Sequence, residues 1–389
     1  QASVSTYHAV MWFRLFLAWT LSLCSLTAQQ SLPASVKSLN AELEPLLAAT
    51  KVPALAAAAI IDGKIRAAGA VGVRKFGDPT PVQIFDKFHV GSGTKSMTAT
   101  LAAIMVEEGL LKWNSTVSDV LPDLEIHPEF RDITLTQLLS HNAGCPGTNA
   151  ASQLWKEVLS RQQQSAQEQR LYLAKRTLAE APSYPPGEGY IYSNAGFTIV
   201  GLMLERVGKA PWESLMREKL FKPLDMTTAG FRAPASADVL DQPWGHRGRQ
   251  PNPPLPIGDL PDALAPAGLV HCSIVDWAKY AHFHLVQRRG SVLKKRDSFE
   301  TLQKRHNPKT GYALGWNVSS HPLAGKLLTH NGTNGLWYAK IWLAPDKSFG
   351  VVVSCNTAGS EASTLCSQVI DLLCTQHGIT VATEKKKED

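Results

Sequence analysis

Strand-like runs stand at the two ends of this chain and helical patches lie between them, and that distribution restricts the fold more than any single residue does. Near the start, residues 53–61 form an apolar run, Asp62-Gly63 follows, and residues 64–71 form a second run. Asp-Gly between two such runs predicts a tight hairpin, because both turn residues must take positive φ. Residues 311–318, 326–330, 336–343 and 349–354 read as strands near the other end, the last two joined by the turn Pro345-Asp346-Lys347. Between about 113 and 290 the pattern is helical, broken by proline-rich loops at 182–186 and 251–256. Helices are expected at 32–49, from Ser92 to about Gly109, and at 361–377. In the second of these, Met97, Leu101, Ile104 and Met105 recur at helical spacing. An α+β fold satisfies the pattern: one antiparallel sheet built by both chain ends, flanked by helices, with an inserted all-helical lobe. The α/β lobe would take residues 29–112 and 291–378 and the helical lobe 113–290, leaving a charged tail at 379–389. Active sites often occupy the cleft between two such lobes.

Residues 11–28 read MWFRLFLAWTLSLCSLTA, with one early Arg, about a dozen apolar residues and Leu-Thr-Ala before Gln29. That is the pattern of a secretory signal peptide, and it is short for a membrane span of roughly 20 apolar residues. Export to a bacterial periplasm or medium is expected, with no stable membrane span after cleavage. Residues 1–10 lie upstream of Met11, the one plausible start. The net charge of +6 resides partly in Lys385, Lys386 and Lys387 and in the runs Arg288-Arg289 and Lys294-Lys295-Arg296. These runs carry no interleaved aromatics, so they read as solvated surface and no nucleic-acid partner is expected. Once Cys24 leaves with the signal, Cys145, Cys272, Cys355, Cys366 and Cys374 remain, an odd set too dispersed for a disulfide framework. His271-Cys272, His282 and His284 read as packing rather than as metal ligands. Neither a metal nor a cofactor is expected.

Three short motifs carry chemistry: Ser92-Gly93-Thr94-Lys95, Tyr192-Ser193-Asn194 and His330-Asn331-Gly332. A helix beginning near Ser92 places Lys95 one turn later on the same face. A serine hydroxyl is a weak nucleophile until a neighbouring base takes its proton. A lysine can serve as that base only if burial or nearby positive charge lowers its pKa. Context separates these motifs from accidental copies. Ser291-Val292-Leu293-Lys294 sits in a basic stretch with no amphipathic helix behind it, and His246-Arg247-Gly248 leads into a proline-rich loop. His141 and Cys145, in a Leu-Leu-Ser-His-Asn-Ala-Gly-Cys stretch, read as structural.

The three elements, in this order, resemble the serine β-lactamase and penicillin-binding-protein superfamily. The finer resemblance is to its class C branch, with the related family VIII esterases and D-aminopeptidase-like hydrolases. Supporting stretches are Phe88-His-Val-Gly-Ser-Gly-Thr-Lys-Ser, Ile133-Thr-Leu-Thr-Gln-Leu-Leu-Ser-His-Asn-Ala-Gly, Pro186-Gly-Glu-Gly-Tyr-Ile-Tyr-Ser-Asn-Ala-Gly, and Pro266-Ala267-Gly268-Leu269 followed by Asp276-Trp277-Ala278. The resemblance spans about 35–375 and implies a class C β-lactamase-like fold.

It also implies roles. Ser92 would attack a carbonyl, with Lys95 and Tyr192 sharing the work of base and acid. Lys95 beside Tyr192 is expected to lower the phenol's pKa. Asn194 would bind a substrate amide and position Lys95. His330, Asn331, Gly332 and Thr333 would line the substrate, with the N–H groups of Ser92 and Thr333 as the oxyanion hole. One departure matters: the class C pattern has Lys-Thr-Gly where this chain has His330-Asn331-Gly332. A fixed cation is thereby replaced by an imidazole that is mostly neutral at pH 7. The implied activity is an exported serine hydrolase with a small-molecule or short peptide substrate: an ester, amide or D-amino-acid peptide. A β-lactamase proper, a D-Ala-D-Ala carboxypeptidase and a non-catalytic penicillin-binding-like scaffold stand as alternatives.

Overall fold

The structure is a computed structural model that describes residues 32–379, apart from 148–151, 255–258, 288, 291 and 308–309. The signal-like segment 11–28, residues 380–389 of the charged tail and Ser291 lie outside the described residues. The chain divides into two units, residues 1–35 and 36–389, and every element below belongs to the second.

Both chain ends build one seven-stranded sheet in the order β1-β3-β2-β12-β11-β10-β9. Its strands are β1 (Lys37–Ser38), β2 (Ala54–Ile61), β3 (Lys64–Gly72), β9 (Asn317–His321), β10 (Gly325–Thr333), β11 (Tyr338–Ala344) and β12 (Phe349–Cys355). All neighbours pair antiparallel except the two-residue β1, which runs parallel to β3. The β2–β3 turn is the expected one, with φ of 51° at Asp62 and 65° at Gly63. Strand β2 has the near-continuous apolar sequence of a strand covered on both faces, Ala-Leu-Ala-Ala-Ala-Ala-Ile-Ile, and all but its last residue are buried.

The long helices are α1 (Asn40–Ala48), α2 (Thr94–Glu107), α3 (Ala166–Leu178), α4 (Asn194–Gly208), α5 (Ile274–Leu285) and α6 (Ser360–Gln376). Leu55, Ala57, Ala59, Val351 and Val353 face a core completed by Leu43 of α1 and Leu365, Val369 and Leu373 of α6. Helix α5 covers β2 and β12 from the other side. The middle of the chain adds two small sheets, β4-β8-β5 (Lys87–His89, Val270–Ser273, Gly230–Phe231) and β6-β7 (Gly245–Arg247, Gln250–Asn252).

Two expectations shift. The first helix begins at Asn40 rather than 32, because Lys37 and Ser38 join the sheet edge and the Leu39 amide donates to Ala68 O over 3.1 Å. The strand expected at 311–318 begins only at Asn317. Gly315 has φ of 77°, and a Cβ there would stand 2.7 Å from the Lys95 carbonyl. The chain bends at this glycine to pass close over the start of α2, and a regular strand cannot make that bend.

Candidate active site

Ser92 lies in a single 3-10 turn, Gly91–Gly93, that joins β4 to α2. Gly91 is obligatory here: its φ is 50°, and a Cβ would stand 2.3 Å from the Thr333 amide nitrogen. Gly332 meets the same turn from the other side, where a Cβ would lie 1.9 Å from Val90 O and 2.9 Å from the Ser92 nitrogen. Two glycines thus let the end of β10 cross against the turn that carries Ser92, with the Ser92 and Thr333 amides beside the crossing. Strand β9 last pairs with β10 at Thr329–Asn317, so residues 330–333 have β11 on one side and no strand on the other among the described residues.

Lys95 is fully buried in the first turn of α2, three residues after Ser92. Its Nζ donates to Ser92 Oγ (3.1 Å), Asn194 Oδ1 (2.8 Å) and the Ala267 carbonyl (2.8 Å). All three acceptors are uncharged, and burial holds the amine well below its ordinary pKa. Two of them, an amide oxygen and a carbonyl, can only accept. When Lys95 is neutral its two N–H bonds go to these, and its lone pair is left for the hydroxyl of Ser92.

Asn194 and Tyr192 come from the start of α4. Ser193 is the N-cap, its Oγ accepting from the Gly196 amide over 3.1 Å and donating to Pro146 O over 2.7 Å. The Ser193 amide donates to His141 Nδ1 over 3.1 Å, which locks the loop at this point. The cap directs Asn194 to Lys95 and holds Tyr192 just outside the helix, with Lys95 Nζ 4.7 Å from its ring centroid. The expected lowering of the phenol's pKa is not what this site produces. Although 37% of Tyr192 is open to solvent, burial around its hydroxyl pushes the pKa up, and a hydrogen bond with Ser92 only partly opposes this. Lys95 Nζ lies over the ring face, and it does not offset the effect of burial on the phenol.

His330 is buried with both ring nitrogens engaged. Nδ1 lies 2.6 Å from the Asn331 carbonyl, which can only accept, so Nδ1 carries the proton. Nε2 therefore accepts from the Tyr312 hydroxyl at 2.9 Å. Burial, aided by Lys95, pushes the imidazole down to about 4, so the ring is neutral at neutral pH. The β10–β11 register pairs Asn331 with Lys340, whose Nζ donates to Ser367 on α6; the Asn331 side chain is therefore exposed on the α6 face, opposite to that of His330. Thr333 is exposed on the same face as Asn331.

The structure thus brings Ser92, Lys95, Tyr192, Asn194, His330 and the backbone of 331–333 to one place. It adds groups the motifs did not mark. His141 packs its ring 4.3 Å from that of Tyr192 and 4.7 Å from that of Tyr312, centroid to centroid. Nothing local in the sequence singles out Tyr312, and the Ala267 carbonyl is a backbone atom. Cys145 is buried near the loop and its thiol is pushed up to about 12, so it stays protonated. His246 of the second His-x-Gly is elsewhere, its Nδ1 2.8 Å from Asn356 O and its Nε2 accepting from the Phe76 amide over 3.0 Å. Among the described residues no helix is long and apolar enough to cross a membrane.

The family model described as Beta-lactamase matches residues 39–373. Among curated proteins, the chain is 27% identical over 293 residues to the unguisins hydrolase ungD' of Aspergillus campestris, covering 70% of this chain and 53% of that one. It is 26% identical over 333 residues to penicillin-binding protein 4 of Amycolatopsis lactamdurans, covering 80% and 82%. The chain spans little more than half the length of the fungal hydrolases it matches, 53% and 59%. Among solved structures, the octameric penicillin-binding protein homologue from Pyrococcus abyssi superposes with a TM-score of 0.70 at 24% identity, over 87% of this chain and 77% of that one. SurE superposes with 0.72 at 21%, over 89% and 77%. At these identities the structural likeness establishes the fold.

Proposed function

The chain belongs to the Beta-lactamase family, and from that premise we propose that it is an exported serine hydrolase working through an acyl-Ser92 intermediate. The observation that carries the reading is the set of partners around Lys95 Nζ, which leaves the lone pair of the neutral amine aimed at Ser92 Oγ. Ser92 Oγ attacks the substrate carbonyl as its proton passes to Lys95. The carbonyl oxygen becomes an oxyanion between the Ser92 and Thr333 amides. Tyr192, kept protonated by its surroundings, relays the proton to the leaving group, whose bond to the carbonyl carbon breaks. Water then attacks the acyl ester, giving its proton back through Tyr192 and Lys95 while Ser92 Oγ leaves.

The unpaired edge at residues 330–333 suits an extended substrate chain, and a neutral His330 leaves that edge without the cation that would favour a carboxylate. We assign an ester, amide or D-amino-acid peptide substrate in preference to a β-lactam or a D-Ala-D-Ala terminus. The relatives' names, a hydrolase and a penicillin-binding protein, support acyl chemistry over a non-catalytic scaffold. Export rests on the pattern at 11–28. The test is a fluorophosphonate probe followed by peptide mass mapping. The peptide holding Ser92 should carry the phosphonyl mass, and Ser92→Ala should lose it. Labelling elsewhere, or none, overturns the assignment.

A further inference from the structure

One buried carboxylate reaches both backbone segments of the proposed oxyanion hole, and it belongs to none of the three motifs. Asp259 Oδ1 accepts from Asn334 Nδ2 over 2.8 Å and from the Leu260 amide over 2.7 Å. Asn334 in turn accepts, through Oδ1, from the Leu336 and Trp337 amides, each at 3.1 Å. This shapes the turn that immediately follows Thr333. On the other side, His89 Nδ1 accepts from the Gly91 amide over 3.0 Å, which puts the ring proton on Nε2. That Nε2–H faces Asp259 Oδ2 across 3.7 Å, and the two side chains are 0% and 5% exposed. Both atoms are otherwise unpartnered.

We infer that Asp259 is a positioning residue that clamps the Ser92 amide and the Thr333 amide into one oxyanion hole, through His89–Gly91 on one side and Asn334 on the other. The inference rests on the acyl-serine reading. Its chemical content is the need for a group that accepts at both ends. Each oxygen of Asp259 faces a donor: the Asn334 amide N–H on one side and the imidazole N–H on the other. Asparagine has the same shape but accepts at one end only. Whichever way its amide turns, an NH2 group meets either Asn334 Nδ2 or His89 Nε2–H, and one arm of the clamp opens. A displacement of about 1 Å at a reacting centre can cost roughly 100-fold in rate, and losing one oxyanion donor roughly 100- to 1,000-fold.

The experiment compares wild type with Asp259→Asn, Asn334→Ala, the double variant of these two, and His89→Gln. Glutamine at 89 can accept from Gly91 and donate to Asp259, so His89→Gln keeps the clamp. Three quantities are measured: the rate of Ser92 labelling by the fluorophosphonate, kcat and KM on a short-chain p-nitrophenyl ester, and Ki for a boronic acid that mimics the tetrahedral intermediate. Asp259→Asn should lower kcat by 10- to 100-fold with KM within about twofold, and should weaken the boronate in proportion. Asn334→Ala should do the same, the double variant should be no worse than the poorer single one, and His89→Gln should retain most activity. The inference is overturned if the Asp259→Asn and Asn334→Ala losses multiply in the double variant, or if boronate affinity is unchanged while only thermal stability falls. Wild-type protein that leaves Ser92 unlabelled refutes the acyl-serine reading instead. Wild type labelled at Ser92, with Asp259→Asn labelled equally fast, refutes the clamp alone.

Discussion

Lys95 Nζ donates to Asn194 Oδ1 over 2.8 Å, and that oxygen belongs to an amide rather than a carboxylate. The distinction bears on how readily the amine holds a proton. A neutral acceptor orients an N–H without rewarding the ammonium, whereas an anion in its place stabilises the cation directly. Burial already holds the amine well below its ordinary pKa, and the amide leaves that effect intact.

Asn194→Asp should reverse this. The new carboxylate raises the Lys95 pKa, so a larger fraction of the base is protonated at any given pH. The acid limb of kcat/KM should move up by at least about one pH unit, with activity at pH 7 down at least about tenfold and partly recovered at pH 9. A pH–rate profile superimposable on the wild type's would show that Lys95 is not the base.

Gly332→Ala tests the crossing of β10 over the Ser92 turn. A Cβ 1.9 Å from Val90 O must push the strand away from Ser92. The expected result is a loss of about 100-fold or more in kcat/KM. Normal turnover in the alanine variant would show that the strand does not supply an oxyanion amide.

Substrate choice should depend on His330. Burial pushes it down to about 4, so the imidazolium window falls well below the reference value near 6.5. Ester turnover should exceed cephalosporin turnover by at least about tenfold in kcat/KM, and His330 titration should not change that ratio between pH 6 and 8. A partly screened charge–carboxylate contact is worth roughly 1–3 kcal/mol, so His330→Lys should shift the ratio toward β-lactams. Faster cephalosporin than ester hydrolysis in the wild type at pH 7.5 would refute the reading.

Stability should be acid-sensitive. His271 and His284 are buried and held down to about 3 by desolvation. Above about pH 6.5 both are neutral whether folded or unfolded, and stability is full. Below it the unfolded chain takes up protons that the folded protein refuses, and stability falls until the folded pKa is reached. From pH 6.5 to 5 each histidine costs about 2 kcal/mol. Urea unfolding at pH 7 and pH 5 should show the drop, and His284→Gln should make it smaller. Equal midpoints at the two pH values would contradict this.

Much of the site was legible because its residues are tied to local signals. Ser92 and Lys95 are one helical turn apart, and Ser193 is a helix cap that presents Tyr192 and Asn194 on either side. The hairpin at Asp62-Gly63 and the strand at 349–354 were readable for the same reason, since turn chemistry and apolar runs are short-range properties. Tyr312, the bend at Gly315 and the exposed placement of Asn331 were not readable, because each depends on what another part of the chain places beside it.

The sequence by itself determined which side chains this protein has for chemistry and the order in which strands and helices would carry them, because periodicity, caps and turn residues act within a few positions. Tertiary structure decided how those side chains behave. Lys95 is held well below its ordinary pKa because the sheet and helices exclude water from it, the Tyr192 phenol is pushed up for a related reason, and burial beside Tyr312 brings His330 down to about 4. Desolvation is set by everything that surrounds a group, and those surroundings include segments far away in the chain, such as Ala267 beside Lys95 (172 residues).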